Sequence, residues 1–389
     1  MISRLKAQNF KSLRSLDLTL GPLNVLVGPN MVGKSNIVDV FQFVYQLFFP
    51  ESGTQGLMYA LAQRGGINEV LWKGGYEKLV SIALEGEDQT RTKYKYSIEF
   101  IAGSGDFVTV QSESLKYTRD GVEIDLISQQ QGMNKYVNLD GTVVGGVGTS
   151  GISAMQYAAP NWDGFKFCQW VKLWRFYHLV PTFMKQPSSM SLGQVLSPSG
   201  NNLSSWLLWL QTNSPESFAR LNEVLHDLFP DVDRVRTIPT PDGNVHLAVT
   251  EKDLVRGPTG VWQTSDGFLV LTALLSLIYV PSTLSGTLFC IEEPENHLHP
   301  KLLETLVALL RQVRREVADA GGALSQLLIT TQSPYLVNQL SIDEIIWVEK
   351  KQGQTSVQHL ADKQNLRKLV EDEEFGLGEL VFKGALGEK

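Results

Sequence analysis

The sequence has 389 residues, 43% of them apolar and 19% charged, an ordinary composition for a folded protein of two or three substructures. Its net charge of −7 and pI near 5.5 exclude a global electrostatic case for nucleic acid or acidic lipid. A local basic groove stays open. The two cysteines, Cys168 and Cys290, lie far apart in apolar surroundings, which reads as buried thiols in a reducing compartment. The N-terminus lacks the apolar core of a signal peptide. The longest apolar run, 268–280, contains Thr272 and Ser276 and is too short to span a bilayer. A cytoplasmic protein with no membrane partner is expected.

Residues 2–20 alternate apolar and polar in places, and Asn9-Phe10-Lys11-Ser12 breaks them into two strand-like pieces. The apolar run 23–27 leads into Gly28-Pro29-Asn30-Met31-Val32-Gly33-Lys34-Ser35, which fits the phosphate-binding pattern G-x-x-x-x-G-K-[ST]. Ile37, Val38, Val40, Phe41 and Phe43 follow at helical spacing, as far as about Pro50. Strand, Gly-rich turn and helix is the setting the pattern needs. Backbone N–H groups and the helix N-terminus then surround the phosphates. Lys34 would reach the β- and γ-phosphates, and the Ser35 hydroxyl would hold Mg²⁺.

A short helical piece near 57–63 follows between Gly-rich turns. From about 76 to 138 the period becomes two, with Tyr94, Tyr96, Ile98 and Phe100 alternating with polar residues. This predicts an antiparallel β lobe exposed on one face. Residues 140–153 hold five glycines and few bulky side chains and are expected to form a mobile loop. The aromatic stretch 161–180 is read as core, because its rings interleave with Val171, Leu173 and Leu179. Helices are expected over 203–211 and 215–228, the second opened by Ser214-Pro215. A strand is expected near 245–251. No sustained heptad and no internal repeat is present.

Three later segments fall where a P-loop ATPase needs them. An apolar run, 287–291, ends in Glu292-Glu293-Pro294-Glu295. Two carboxylates at the C-terminal end of a buried strand form a Walker B pattern, with Glu292 placed for the metal and Glu293 for polarising an attacking water. A second strand-like run, 327–331, ends in Gln332-Ser333-Pro334. Between them a helix over 299–316 shows Leu302, Leu306, Leu309, Leu310 and Val313 on one face. Its Arg311, Arg314 and Arg315 read as a solvated helix C-terminus rather than a nucleic-acid contact. Thr264-Ser265-Asp266-Gly267 precedes the apolar helix at 268–280, and Ser265 or Asp266 serves as N-cap.

These segments, in this order, resemble the ABC-type ATPases of the RecF, SMC and OLD branch, often labelled AAA-family predicted ATPases. The residues that carry the resemblance are Asn9 to Ser12, Gly28-Pro29-Asn30 with Gly33 to Asn36, Ser265-Asp266-Gly267, Glu292 to Glu295 with His299-Pro300, and Thr330 to Pro334. The tail, Leu377-Gly378-Glu379-Leu380 with 384–387, resembles single-chain members. The fold implied is α/β: a P-loop NTPase with an ABC-type head, a β-rich lobe, and a helical subdomain inserted between the Walker A loop and the signature. Segments 1–75 and 261–389 would form the ATPase core, 76–160 the β lobe and 161–260 a helical or mixed lobe.

The resemblance further implies a head-to-head homodimer that buries two ATP molecules with Mg²⁺. Lys34, Ser35, Glu292 and Glu293 would act from one protomer, with Asn30, Gly33 and Asn36 in the same loop and helix start. Ser265 and Gly267 would touch the γ-phosphate of the nucleotide on the other. Lys11 and Ser12 match the segment near the base and α-phosphate. Met31 stands where many relatives have glycine, and Glu292 replaces the commoner aspartate. Gln332 takes the switch-histidine position; it can hydrogen-bond a phosphate but cannot carry a proton, so slow turnover is expected. Gln156 is a weak candidate for the Q-loop glutamine.

Without a coiled coil, a chromosome-tethering SMC protein is not expected. About 50 residues follow Pro334, so a fused nuclease of typical size is not expected either. The reading is an ATP-driven switch that controls a separate effector, such as a nuclease or toxin. Free-standing ATPases of this kind often belong to anti-phage systems. The alternatives are a RecF-like ATP-dependent DNA clamp and a non-hydrolysing scaffold.

Overall fold

The computed structural model describes residues 1–389 apart from 52, 89, 104–106, 120, 131–132, 149–151, 256, 281–286, 322–324, 363–376 and 383–389. The chain forms two compact bodies. The first comprises Met1–Trp174, Ser325–Gln332 and Ser341–Asp372; the second comprises Arg175–Leu324, Ser333–Leu340 and Glu373–Lys389.

The first body holds an antiparallel sheet in the spatial order Leu13–Thr19, Ile2–Phe10, Leu79–Glu87, Lys93–Ala102, Val108–Arg119 and Val122–Asp125. Its strands alternate buried and exposed positions, as a sheet with one wet face requires. A second group of strands is built differently. Leu23–Val27 lies between Gln326–Thr331 and Ile345–Lys351, parallel to both, and Gln354–His359 closes the edge antiparallel. Val25, Leu26 and Val27 are fully buried. That continuous burial is why the segment reads as an unbroken apolar run rather than an alternating one.

Helix Lys34–Phe48 packs its aromatic side on the antiparallel sheet. Phe43 meets Phe10 edge-on at 5.5 Å and stacks on Phe100 at 5.6 Å, and Phe48 meets Tyr96 at 5.2 Å. The 161–180 aromatics are core, as expected: Trp162, Phe167, Trp174 and Tyr177 are all buried. Trp174 and Phe167 meet Phe41 and Phe48 of this helix at 5.7 and 6.0 Å and exclude water from that side.

The stretch 140–153 departs from expectation. Val143–Gly148 is a strand paired antiparallel with Met133–Val137, while residues 149–151 lie outside the described residues. A ladder is made of backbone groups, so it tolerates small side chains. Glycine here admits a neighbour: a Cβ on Gly145 would lie 3.2 Å from the Tyr136 ring. Beyond the gap, buried Glu113 accepts hydrogen bonds from Ser153 Oγ (2.7 Å) and Ala154 N (2.6 Å) and so ties the segment to the sheet.

In the second body, helices Leu203–Asn213 and Pro215–Leu228 agree with the expected spans, and the second begins with proline after Ser214. Val232–Pro239 and Asn244–Glu251 form a hairpin. Helix Asp266–Ile278 is buried nearly all round, and its polar residues are satisfied. Thr272 Oγ1 donates to Phe268 O at 2.7 Å, and Trp206 Nε1 donates to Ser276 Oγ at 2.8 Å. Helix Pro300–Asp319 runs one turn further than expected and centres its buried face on Leu303, Leu306 and Val307, with Leu302, Leu309, Leu310 and Val313 half-buried. The face is rotated because Leu303 and Val307 join the stripe. No helix among the described residues is long and apolar enough to cross a membrane.

Candidate phosphate-binding site

The loop after strand Leu23–Val27 is shaped by two glycines. A Cβ on Gly28 would lie 2.1 Å from the Val348 carbonyl oxygen, so only glycine fits there. Gly33 has φ 105° and leads into helix Lys34–Phe48, whose N-terminus no side chain caps. Met31 adopts φ 64°, a left-handed conformation that glycine reaches without strain. Lys34 is 5% exposed. Its Nζ donates to Gly28 O (2.7 Å) and Pro29 O (2.8 Å), so the ammonium is held against the carbonyls of its own loop. Asn30 and Ser35 are exposed, and Asn36 is half-buried.

The turn between the first two strands lies beside this loop. Lys11 has φ 50°, its N donates to Val70 O at 2.6 Å, and its Nζ pairs with Asp39 at 2.6 Å. Ser12 Oγ accepts from Asn36 Nδ2 at 2.6 Å. A cavity of about 410 Å³ opens here, lined by Lys11, Ser12, Trp72, Lys73, Lys350 and Gly353 among others. Gln332 directly follows Thr331, which is paired with Val27 in the parallel register. Gln332 and the loop at Gly28 therefore leave the same end of neighbouring strands. The first body thus gathers Lys11, Ser12, Asn30, Gly33, Lys34, Ser35, Asn36 and Gln332.

The other predicted residues belong to the second body. Ser265 caps helix Asp266–Ile278, its Oγ accepting from Phe268 N at 3.4 Å. Asp266 pairs with Lys185 Nζ at 2.6 Å. A Cβ on Gly267 would lie 2.6 Å from His297 O, which seats the loop after Glu293 against this helix start. Glu292 ends the buried strand Leu288–Glu292. Glu293 has φ 44° and accepts from Asn296 Nδ2 at 3.0 Å. Among the described residues six non-glycine positions have positive φ, and four of them (Asn9, Lys11, Met31 and Glu293) fall in the predicted motifs. Backbone strain of this kind collects at functional sites.

Gln156, the weak candidate for the Q-loop glutamine, is engaged at both ends of its amide. Its Oε1 accepts from Gly56 N (2.6 Å) and its Nε2 donates to Thr54 O (2.8 Å), so both ends of the amide pin the 54–56 turn. In the tail, Gly378 N donates to Asn338 Oδ1 at 2.6 Å, and 384–387 lie outside the described residues. Four contributors escaped sequence reasoning. Asp39, Arg64 and Thr355 hold the loop and turn, and Lys185 sits on Asp266. Each acts through a partner far away in sequence, and no local pattern announces them.

Residues 182–338 match a family described as "AAA domain, putative AbiEii toxin, Type IV TA system". A 44-residue segment is 46% identical to an OLD nuclease of Thermus scotoductus (strain ATCC 700910 / SA-01), covering 11% of this chain and only 8% of that protein's length. The fold is similar to that of the Smc head bound to the C-winged helix domain of ScpA, with a TM-score of 0.54, 16% identity and coverage of 92% of this chain and 96% of that one. A Pyrococcus furiosus Smc head with an extended coiled coil gives a TM-score of 0.48 at 14% identity, covering 95% and 99% of the two chains. Residues 182–338 thus match an AAA domain, and the α/β fold is similar to that of an SMC head.

Proposed function

We propose that this chain binds ATP with Mg²⁺, hydrolyses it slowly, and uses an ATP-dependent homodimer as a switch for a separate effector. The observation that carries the proposal is the loop itself. A left-handed Gly33 opens an uncapped helix N-terminus directly behind a buried Lys34. Loop N–H groups, the helix dipole and one cation form a donor set suited to a polyphosphate. The cavity beside Lys11 has room for a nucleoside.

Within this reading Lys34 and the loop N–H groups from Asn30 to Ser35 bind the phosphates, and Lys11 lies on the nucleoside side. Ser35 and Glu292 are the metal-holding groups by motif. Mg²⁺ supplies neutralisation of charge on the phosphate oxygens. No cluster of three or more His, Cys, Asp or Glu side chains suited to a metal occurs among the described residues. Glu293 polarises the attacking water, Gln332 hydrogen-bonds the terminal phosphate, and Ser265 and Gly267 serve the partner protomer's nucleotide. A toxin-related domain description and an OLD nuclease relative favour an effector-coupled role; a place in anti-phage defence rests on family analogy alone.

The test is the solution mass, by light scattering, of Glu293→Gln protein with and without Mg-ATP. Doubling of the mass on adding ATP, prevented by Ser265→Arg, supports the switch. An unchanged mass removes the support for a trans role of Ser265.

A further inference from the structure

A directional chain of hydrogen bonds crosses the first body beside the phosphate loop. Thr355, 4% exposed, donates its hydroxyl proton to Val32 O at 2.7 Å, and a carbonyl can only accept. The Ser12 and Thr355 hydroxyl oxygens lie 2.6 Å apart. With the Thr355 proton already committed, Ser12 must be the donor between them. Asn36 Nδ2, itself only a donor, completes the chain onto Ser12 Oγ at 2.6 Å. The backbone supports the same contact, since Thr355 N donates to Ser12 O at 2.8 Å. The approach is close enough that a Cβ on Gly33 would lie 2.1 Å from Thr355 Oγ1 and 2.6 Å from Ser12 Oγ.

We infer that Thr355 is a positioning residue for the phosphate loop, and that Ser12 and Asn36 act through it rather than as nucleotide contacts. The single proton of Ser12 points to Thr355, so none is left for a phosphate or base acceptor. The chain fixes the Val32 carbonyl and with it the peptide plane that enters Gly33, where φ is 105°. Loss of the Thr355 hydroxyl leaves a buried carbonyl unpaired and frees that plane to turn. The N–H groups of the loop then no longer converge. Successive donors in such a chain strengthen one another, so its members behave as one unit.

This inference rests on the loop binding nucleotide, and the experiment separates the two. Calorimetric titration of Mg-ATP and Mg-ADP is made into full-length wild type, Thr355→Val, Thr355→Ser, Ser12→Ala, the Ser12→Ala/Thr355→Val double variant and Lys34→Ala. Thr355→Val is expected to weaken both nucleotides about tenfold, and Thr355→Ser to stay within about twofold of wild type. The double variant is expected to bind no more weakly than the weaker single one, because both break one chain. Thr355→Ala replaces the valine variant if that fails to fold. Wild-type affinity in Thr355→Val alongside lost binding in Lys34→Ala overturns the inference and leaves the nucleotide reading intact. Multiplying effects of Ser12→Ala and Thr355→Val overturn the role given to Ser12. A wild type that binds neither nucleotide ends both.

Discussion

Arg64 forks onto Asp39, with Nε donating to Oδ2 at 2.9 Å and Nη2 to Oδ1 at 2.5 Å. The Arg64 side chain is 4% exposed and Asp39 16%, and the guanidinium also lies 5.0 Å from the centre of the Phe43 ring. The same carboxylate takes Lys11, so one aspartate on the helix behind the phosphate loop holds the neighbouring turn. Asp39→Asn keeps the shape but removes the charge that compensates a buried arginine. It is expected to lower unfolding free energy by about 3 kcal/mol, read from urea denaturation. Lys11→Ala, which leaves the fork intact, is expected to cost well under half of that.

Glu113 gives the protein a pH dependence of identifiable sign. Burial raises its carboxyl above the ordinary value, opposed by hydrogen bonds from Ser153, Ala154 and Tyr96. In the window between the ordinary glutamic-acid value of 4.5 and the raised folded one, the unfolded chain has released the proton while the folded chain keeps it. Stability from this group is therefore greatest below that window and falls as pH rises through it. The difference in unfolding free energy between wild type and Glu113→Gln, followed from pH 4 to 8, should shift against wild type with rising pH. A difference that is flat with pH, or grows in wild type's favour, would refute the assignment.

Much of the fold was legible because its signals are local. The unbroken apolar run at 23–27, the Ser214-Pro215 helix start and the period-two tyrosines each state their own conformation. So does the P-loop, where glycines, lysine and serine must be consecutive. What was missed is long-range. Thr355 follows an unremarkable Gly353-Gln354 turn, and only tertiary structure brings it to Val32, 323 residues away. The glycines at 145–148 misled because glycine signals freedom of the chain, whereas here it admits the Tyr136 ring. Asp39 is one polar position on a largely apolar helix, and nothing nearby in sequence marks Arg64, 25 residues on, as its partner.

Both thiols should be inert in the folded protein. Burial pushes Cys168 up to about 12, and burial with the neighbouring Glu292 raises Cys290 well above its ordinary range. The reactive species is the thiolate, and little of it exists at pH 8 for either group. Treatment with a chromogenic disulfide reagent at pH 8 should label no cysteine in native protein. Both should react after denaturation. Rapid native labelling of Cys290 would mean that the strand leading to Glu292 opens readily.

In the proposed function, Gln332 stands where the terminal phosphate and the attacking water would lie. It follows Thr331 at the strand end beside Val27 and so leaves the sheet next to the phosphate loop. An amide there can orient a phosphate oxygen or a water by hydrogen bonding. It cannot take up a proton as the attacking water loses one. Gln332→His adds a group that titrates between pH 6 and 7. The variant should hydrolyse ATP about tenfold faster than wild type, with a rate that rises through that pH range where the wild-type rate is level. Gln332→Ala separates positioning from proton transfer. If wild type is already brisk and alanine abolishes turnover, the glutamine suffices by orientation, and Glu293 alone carries the proton. If alanine matches a slow wild type while histidine accelerates it, the amide contributes little to the chemical step. The slow rate would then be a property of the switch, prolonging its ATP-bound state.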